Sequence, residues 1–338
     1  MKTKVAINGL GRIGRLSFRQ IFDLADYDIV AVNDLTSPDM LAYLLKYDTT
    51  QGTYQYADSI ESGNDFIIVN GKKVNMYSKA DAAKLPWKQL GIDVVVDCSG
   101  AYLSKEKSMK HIDAGAGMVV LSAPAGPDIP TVVYGVNESI LSADNKLISA
   151  ASCSTNALAP VVKTLNDYAP IQSGIMTVIH GFTATQMLVD DPQKKGNYRR
   201  SRAASVNIVP TTAEAAKAVS LVIPELNGKL IGSAVRVPVA AGCYITFIAV
   251  VNGKDITKDS VNAAMKVASS ESFGYTEEEY VSSDIIGNTY ASIFDATQTL
   301  VSQVNTDEYQ IRVSAWFDNE NSFVSQMIRT MKYAVSLK

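Results

Sequence analysis

Cys153 and His180 are the two residues of this sequence whose types suit nucleophilic chemistry. Cys153 lies among small and hydroxylic residues, between an apolar run that predicts a strand and a pattern that predicts a helix through Tyr168. At a helix start, backbone N–H groups stabilise an anion and lower the pKa of a thiol. His180 ends a predicted strand, from which it would move the thiol proton if the strand ends converge. The alternative for both is a buried structural residue, the usual place of a free cysteine.

A glycine-rich turn near the N-terminus is the second motif with a chemical meaning. The run Val5–Asn8 predicts a strand that leads into Gly9-x-Gly11-x-x-Gly14 and then into helical spacing. Gly9 permits a tight turn, Gly11 lets the backbone approach a pyrophosphate, and Gly14 lets the helix pack on the strand. A second predicted strand ends at Asp34, about 20 residues further on, where a carboxylate binds ribose hydroxyls and repels a 2′-phosphate. The motif therefore predicts a dinucleotide site that favours NAD over NADP.

The elements around these motifs divide the chain into two halves. In the first half, near-continuous apolar runs predict parallel strands buried on both faces: Asp93–Cys98, Met118–Leu121 and Thr131–Tyr134. Ligands bind at the carboxyl ends of such strands, so we expect Ser99, Gly100 and Ser122 to line a cofactor cleft. Cys98 is expected in the core. In the second half, polar and apolar residues alternate in several strands, which is typical of an antiparallel sheet.

The composition narrows the class of protein. The 338 residues suit two domains, and 47% apolar with 19% charged residues is a globular balance. A net charge of -3 gives no electrostatic reason to expect nucleic acid as a partner. Three widely spaced cysteines predict no disulfide framework, and we expect no metal site. No apolar run approaches the ~18 residues of a membrane span, and no signal peptide precedes the first strand, so we expect a cytoplasmic protein.

Two further features are open to more than one interpretation. The segment from Thr183 to Val206 is predicted to be a long irregular loop, which is typical of a functional or interface segment. Its cluster of cations favours either a solvated basic face or attraction of a phosphorylated substrate: Lys194, Lys195, Arg199, Arg200 and Arg202. His111 lies in a charged helical stretch and is predicted to be a surface residue.

Together these motifs resemble phosphorylating glyceraldehyde-3-phosphate dehydrogenases over essentially the whole chain. The segments that carry the resemblance are Asn8–Arg15, Asn33–Leu35, Ala151–Asn156 with His180, Leu221–Leu226 and Asp318–Glu320. The resemblance implies an α/β protein with a Rossmann-type, parallel-sheet NAD-binding domain (residues 1–151, joined by the C-terminal helix at 319–338). It also implies an α+β catalytic domain with a mostly antiparallel sheet (152–318), and a homotetramer.

The same resemblance implies the chemistry. Cys153 would add to the aldehyde to form a hemithioacetal, and His180 would act as general base. Hydride transfer to NAD would leave a thioester, which inorganic phosphate would cleave to an acyl phosphate in glycolysis. The implied NAD-binding residues are Gly9, Gly11, Arg12, Ile13, Gly14, Asp34, Ser122 and Asn319. The implied residues for glyceraldehyde 3-phosphate and phosphate are Ser152, Ser154, Thr183, Arg200 and Arg236.

One departure from the family pattern concerns inorganic phosphate. Ala213-Glu214 stands where the family has Thr-Gly, and Thr211-x-x-Glu214 is the pattern of a helix capping box. A carboxylate there would compete with an anion for the helix N-terminus, so we expect weakened phosphate binding with the redox step intact. The alternatives are an erythrose-4-phosphate dehydrogenase and, in a different class, a binding or adhesion protein with residual activity.

Overall fold

The computed structural model describes residues 2–193, 196–212 and 215–338, and the chain divides into two compact units. The first unit contains the residues up to Val132, with Glu138–Ala151 and Met327–Lys338. The second contains Val133–Asn137 and Ser152–Gln326. The expectations placed on Lys194, Lys195, Ala213 and Glu214 lie outside the described residues. Of the helices that are described, none has the length and apolar character needed to cross a membrane.

An eight-stranded sheet organises the first unit. Its strands are β1 (Thr3–Asn8), β2 (Tyr27–Asn33), β3 (Glu61–Ser62), β4 (Phe66–Val69), β5 (Lys72–Tyr77), β6 (Val94–Asp97), β7 (Met118–Leu121) and β8 (Leu147–Ser149). Their order is β3-β4-β5-β2-β1-β6-β7-β8. The strands from β5 to β8 in that order run parallel, whereas β3 and β4 extend the edge antiparallel. Strands β6 and β7 are wholly buried, as their apolar runs predict.

The helices of the first unit follow the carboxyl ends of its strands or connect them. They are α1 (Arg12–Phe22), α2 (Pro38–Lys46), α3 (Trp87–Leu90) and α4 (Lys105–Asp113). Helix α1 buries an apolar stripe that includes Leu16, Phe18 and Ile21, and it packs on β2. Its cap residue, Gly11, has no side chain to occupy the helix N-terminus. That end is therefore shaped to receive an anion from outside the protein.

Two details of the predicted strands are wrong. Thr131–Tyr134 is not a strand, because only Thr131 forms an isolated bridge, with Ser149. The backbone N–H of Val133 donates to Oδ1 of Asn137 at 2.8 Å, which withdraws it from the sheet. Strand β6 ends at Asp97, so Cys98 lies just beyond the strand, only partly buried, rather than inside it.

The second unit is built on a larger sheet of mixed direction. Its strands are β9 (Ile171–Gly181), β10 (Val209–Thr212), β11 (Leu230–Val237), β12 (Cys243–Asn252), β13 (Phe273–Thr276), β14 (Ser292–Asp295), β15 (Leu300–Gln303) and β16 (Glu308–Phe317). The order is β10-β11-β9-β12-β16-β14-β13, with β15 also on β16. Only the β9–β11 and β13–β14 pairs are parallel among the described strands, which confirms the predicted mostly antiparallel sheet.

Four helices accompany this sheet within the described residues: α5 (Cys153–Tyr168), α6 (Ala215–Val222), α7 (Lys258–Val267) and α8 (Asn321–Ser336). Helix α8 begins in the second unit, and its residues from Met327 onward belong to the first. The segment from Thr183 to Val206 is irregular in its described part, apart from a 3-10 turn at Arg199–Ser201. The predicted loop and the predicted helix through Tyr168 are both confirmed.

The start of α5 is defined by a strained residue and a cap. Ala151, directly before it, has a positive φ of 60°, a left-handed conformation that non-glycine residues rarely adopt. Ser152 is the N-cap, and its hydroxyl accepts a hydrogen bond from the N–H of Thr155 at 3.1 Å. Cys153 is consequently the first residue of the helix.

Candidate active site

The glycine-rich turn of the first unit has the close packing that its sequence predicts. A Cβ on Gly14 would lie 1.9 Å from the carbonyl oxygen of Gly9, and one on Gly9 would lie 2.8 Å from the N–H nitrogen of Ser99. Gly9 also has a φ of +89°, which only glycine adopts without strain. Gly11, in contrast, has no protein atom near its Cβ position. The backbone at Gly11 is therefore open to a ligand, as a pyrophosphate would require.

A cavity of about 380 Å³ lies beside this turn and brings together part of the predicted cofactor set. Gly9, Gly11, Asp34 and Ser99 line it. Asp34 accepts hydrogen bonds from the N–H of Leu10 at 2.7 Å and of Thr36 at 2.9 Å. Each carboxylate oxygen keeps a lone pair for a ribose hydroxyl. Asn8, Asn33 and Leu35, from the segments that carry the resemblance, also line the cavity, as does Cys98. Sequence reasoning missed the remaining lining residues, which are Lys79, Ala80, Ala101 and Tyr102.

Besides Gly14 and Gly100, three of the predicted cofactor residues of the first unit lie outside the lining of this cavity. Arg12 and Ile13 open helix α1, where Arg12 forms an ion pair with Asp48. Ser122 follows β7, and its N–H donates to the carbonyl oxygen of Asp97 at 2.9 Å. All three are partly exposed, so their side chains are accessible to a dinucleotide.

The prediction that His111 is a surface residue is wrong, because the side chain is fully buried. The indole N–H of Trp87 donates to Nδ1 of His111 at 3.0 Å, which leaves the ring proton on Nε2. Nε2 therefore donates to Oδ2 of Asp97 at 3.1 Å. Asp97 also accepts from Asn8 Nδ2 at 2.7 Å and from the hydroxyl of Ser99 at 2.8 Å. This network supports the cavity wall from within.

In the second unit, the structure brings the predicted thiol and imidazole together. Sγ of Cys153 lies 3.6 Å from Nε2 of His180. His180 sits near the end of β9, buried, with its ring edge-on to Phe317. Its Nδ1 lies 2.7 Å from the carbonyl oxygen of Gly181, which holds the ring so that Nε2 faces the sulfur. A thiol with an adjacent oriented imidazole is the arrangement of a cysteine nucleophile and its base.

Arg236 completes the immediate surroundings of this pair. Strands β9 and β11 are neighbours, and their register places Arg236 beside His180. Its Nη1 lies 2.6 Å from Nδ1 of His180 and donates to the carbonyl oxygen of Gly181 at 3.0 Å. Burial, and then the charge of Arg236, lower the pKa of His180 to about 3. The imidazole is therefore neutral near neutral pH. With its single ring proton on Nδ1, which donates to the carbonyl oxygen of Gly181, Nε2 is able to accept a proton.

The N–H groups at the helix start do lower the pKa of Cys153, as expected, but they do not bring it below its ordinary value. Burial raises this pKa above the ordinary value, and the charge of Arg236 and the N–H of Ser154 oppose the rise without reversing it. A neutral thiol beside a neutral imidazole follows, so removal of the proton has to accompany the attack of the sulfur.

This pKa direction predicts how Cys153 reacts with alkylating agents. We expect its rate of alkylation by iodoacetamide to keep rising with pH beyond about 8.5, the ordinary pKa of a cysteine, because only the thiolate reacts. The variant Arg236→Leu should react more slowly at each pH, since it lacks the charge that favours the thiolate. Mass spectrometry of the peptide that contains Cys153 would measure both rates. A rate that levels off near neutral pH would contradict the raised pKa.

A group of hydroxyls around Arg200 forms the second polar part of the site. Nη1 of Arg200 donates to the hydroxyl of Thr185 at 2.5 Å, and Nη2 donates to that of Thr211 at 3.2 Å. The hydroxyls of Thr183 and Thr185 are 2.9 Å apart. Arg200 also contributes to the lowered pKa of His180, which indicates that its charge acts on the thiol–imidazole pair. Thr185 was not predicted from the sequence, although it lies two residues after Thr183.

The structure separates the cations of the irregular segment and revises the capping box. Arg202 is exposed and pairs with Asp190 at 2.8 Å, as a solvated face would require, whereas Arg200 faces the hydroxyls.

Thr211 lies in strand β10 rather than at a helix N-cap, so the predicted capping box that begins at Thr211 is wrong. Ser152 and Ser154 flank Cys153, and their hydroxyl oxygens are 3.3 Å apart.

Asn319 and Cys243 contact each other and are linked to His180 through Gly181. Asn319 follows β16 and is buried, and its Oδ1 accepts a hydrogen bond from the thiol of Cys243 at 3.3 Å. The same sulfur accepts the N–H of Gly181 at 3.3 Å. No pattern in the sequence pointed to Cys243, because its partners come from distant strands.

A glycine-rich turn open to a dinucleotide and a thiol–imidazole pair on the same chain are typical of dehydrogenases that form a covalent adduct on a cysteine. Residues 3–105 match the family model of the glyceraldehyde 3-phosphate dehydrogenase NAD binding domain, and residues 152–319 match that of the C-terminal domain. The chain belongs to the glyceraldehyde-3-phosphate dehydrogenase family. The predicted fold class, with its parallel NAD-binding sheet, is thereby confirmed.

Several curated relatives support this membership, and each is named glyceraldehyde-3-phosphate dehydrogenase. The protein from Clostridium pasteurianum is 49% identical over 331 residues, which covers 98% of both chains. That from Lactobacillus delbrueckii subsp. bulgaricus is 48% identical over the full length of both chains. That from Streptococcus pyogenes serotype M1 is 47% identical over 98% of both chains.

Proposed function

We propose that the chain catalyses the NAD-dependent oxidation and phosphorylation of glyceraldehyde 3-phosphate to 1,3-bisphosphoglycerate in glycolysis. The observation that carries this proposal is the 3.6 Å contact between Cys153 Sγ and His180 Nε2, in a chain of this family. We assign NAD binding to residues 1–151 with the helix at 319–338, and the chemistry to residues 152–318.

The residues around the glycine-rich turn fit NAD. Gly11 offers unobstructed backbone to a pyrophosphate, Arg12 and Ile13 lead the adjoining helix, and Asp34 offers carboxylate oxygens to a ribose. The same carboxylate disfavours NADP. Ser122 and Asn319 complete the proposed set, with Asn319 toward the nicotinamide carboxamide. When bound, NAD supplies the acceptor for a hydride.

The residues of the second unit then carry out the steps of the reaction. His180 Nε2 takes the proton of Cys153 as the sulfur adds to the aldehyde carbon, and a hemithioacetal forms. The protonated imidazole returns this proton to the oxygen of the former aldehyde, which gives the hemithioacetal hydroxyl and leaves His180 neutral again. With NAD bound as the hydride acceptor, His180 Nε2 would take the proton of that hydroxyl, and the carbon would be oxidised to a thioester. Inorganic phosphate adds to the thioester carbonyl, and the thiolate of Cys153 departs. The product is an acyl phosphate, and the thiol is restored by reprotonation.

Arg236 is proposed to bind the substrate's C3 phosphate together with Thr183, with Arg200 close by. Nε of Arg236 is buried and makes no hydrogen bond with the described residues, and the same is true of Nε2 of Gln186. A buried guanidinium N–H without a partner is costly unless a ligand accepts it. A phosphate would do so, and its negative charge would offset the charge that keeps the pKa of His180 low. Substrate binding would thus make the base more effective.

The test of this function compares aldehydes with and without a phosphate. In Arg236→Leu, we expect kcat/KM for glyceraldehyde 3-phosphate to fall roughly 10- to 100-fold more than kcat/KM for glyceraldehyde, because a charge-assisted hydrogen bond to phosphate is lost. NADH absorbance measures both rates. Arg199→Leu is the matched control, since Arg199 is an exposed neighbour of Arg200 and should leave the ratio unchanged. Equal losses on both aldehydes would contradict the phosphate-binding role.

Two variations on this function remain distinguishable by kinetics. A higher kcat/KM for erythrose 4-phosphate than for glyceraldehyde 3-phosphate would favour an erythrose-4-phosphate dehydrogenase. Weakened use of phosphate, expected from Ala213-Glu214, predicts a phosphate KM higher than that of an Ala213→Thr/Glu214→Gly double variant. A protein kept for binding or adhesion would show little turnover on either aldehyde.

We further propose that the chain forms a homotetramer and works in the cytoplasm, as its family resemblance implies. Large apolar side chains in and beside the irregular segment support the assembly, because their exposure is unusual for a monomer. They are Leu188, Val189, Tyr198, Val206 and Ile208, and Leu188 is 77% exposed. Molecular mass from light scattering would decide between monomer and tetramer.

A further inference from the structure

Cys243 is a buried thiol that the proposed reaction does not use. It is the first residue of β12, where it pairs with Phe317 of β16, and none of its surface is accessible. Asn319 lies two residues beyond Phe317, so the sheet itself brings the thiol to the asparagine. The neighbouring strand β9 brings Gly181, the residue whose carbonyl oxygen holds the imidazole of His180.

The sulfur of Cys243 makes two hydrogen bonds of opposite sense. It accepts the N–H of Gly181 and donates its own proton to Oδ1 of Asn319, both at 3.3 Å. Burial raises the pKa of Cys243 well above its ordinary value, so the proton that is donated stays on the sulfur. Since a thiol has one proton to donate, this arrangement satisfies it completely.

These bonds select one of the two orientations of the Asn319 amide. With Oδ1 on the thiol, the amide NH₂ points away from Cys243. A flipped amide would present Nδ2 to a sulfur that already accepts the N–H of Gly181, and the buried S–H proton would have no acceptor there. The flipped state is therefore disfavoured. Cys243 thus determines which polar atoms Asn319 offers to a ligand.

We propose that Cys243 is a positioning residue that orients the Asn319 amide toward the carboxamide of bound nicotinamide. It presents the Nδ2 donors of Asn319 to the carboxamide oxygen. This inference rests on the proposed function, in which Asn319 contacts that group. The same sulfur is hydrogen-bonded to both Asn319 and Gly181. Cys243 therefore contacts the residue proposed to bind the cofactor and also the residue whose carbonyl oxygen orients His180.

The experiment compares NAD with ADP-ribose, which lacks the nicotinamide. In Cys243→Ala and Cys243→Val, we expect the Kd for NAD, measured by calorimetry, to rise about five- to tenfold, the equivalent of one lost hydrogen bond. The Kd for ADP-ribose should change by less than about twofold. The two variants differ in volume and share the loss of the donor, so one can replace the other if it folds poorly. Cys243→Ser is the matched control and should restore the affinity for NAD, because a hydroxyl both donates and accepts.

A double-variant cycle tests whether the effect passes through Asn319. In an Asn319→Ala background, Cys243→Ala should weaken NAD binding no further, because the amide that it orients is gone. Equal losses for NAD and ADP-ribose, or the same loss in the Asn319→Ala background, would overturn the role of Cys243. Failure of the unaltered protein to bind NAD would instead overturn the proposed function, so the two failures are distinguishable.

Discussion

Replacing Cys153 with serine is expected to lower kcat for glyceraldehyde 3-phosphate by roughly 10⁴-fold or more, with NAD affinity nearly unchanged. The hydroxyl is a far weaker acid than the thiol, and the neutral imidazole 3.6 Å away cannot deprotonate it to a useful extent. The thioester step is lost as well, because an alkoxide is a poorer leaving group than a thiolate. Steady-state NADH formation and calorimetric NAD binding measure the two quantities.

Cys98 provides the matched control for this experiment. Although Cys98 is only partly buried as a residue, desolvation of its thiol and the nearby charge of Asp97 raise the pKa of Cys98 to about 12. The thiol is therefore inert near neutral pH, and Cys98→Ser should keep most of the activity. In the unaltered protein, one equivalent of an alkylating agent on Cys153 should remove all activity. Full activity in a protein whose Cys153 is completely alkylated would contradict its assignment as the nucleophile.

His111→Leu is expected to lower the free energy of unfolding by about 3–5 kcal/mol. Leucine is of similar size, but it leaves the indole N–H of Trp87 without its acceptor and removes a donor from the buried carboxylate of Asp97. Both groups are buried, so water cannot replace the hydrogen bonds that they lose. Denaturant unfolding followed by tryptophan fluorescence would measure it, because Trp87 reports on this region directly.

The control lies on the same helix. Asp113 of α4 is exposed, and Asp113→Ala should leave the unfolding curve almost unchanged. If His111 were the surface residue that its charged neighbours suggest, His111→Leu would behave in the same way. A shift of comparable size in the two variants would therefore contradict the buried network.

Motifs whose parts are close in sequence could be predicted, and their geometry agrees. The spacing from Gly9 to Gly14 already contains the turn, the open backbone and the close helix contact, because each depends only on local chain geometry. The same holds for Ser152 as the cap that places Cys153 at the first turn of α5. The pattern of apolar residues was likewise sufficient to distinguish the two sheets, because continuous apolar runs predict buried parallel strands and alternating runs predict antiparallel strands.

Residues whose partners are distant in sequence could not be placed in this way. His111 sits in a polar stretch, and its burial follows only when Trp87 and Asp97 arrive from other elements. Cys243 is isolated in the sequence, and its role depends on strands β9 and β16. The raised pKa of Cys153 has the same origin, because burial by surrounding chain outweighs the local effect of the helix start.

Because Arg236 and His180 are paired on neighbouring strands, the number of residues in β11 determines whether Arg236 reaches His180. Both side chains leave neighbouring parallel strands at matched positions, and side chains alternate between faces along a strand. Insertion or deletion of a single residue within β11 would shift the register and turn the guanidinium to the opposite face of the sheet. We therefore expect this chain to tolerate insertions and deletions before Leu230 or after Val237 better than within β11.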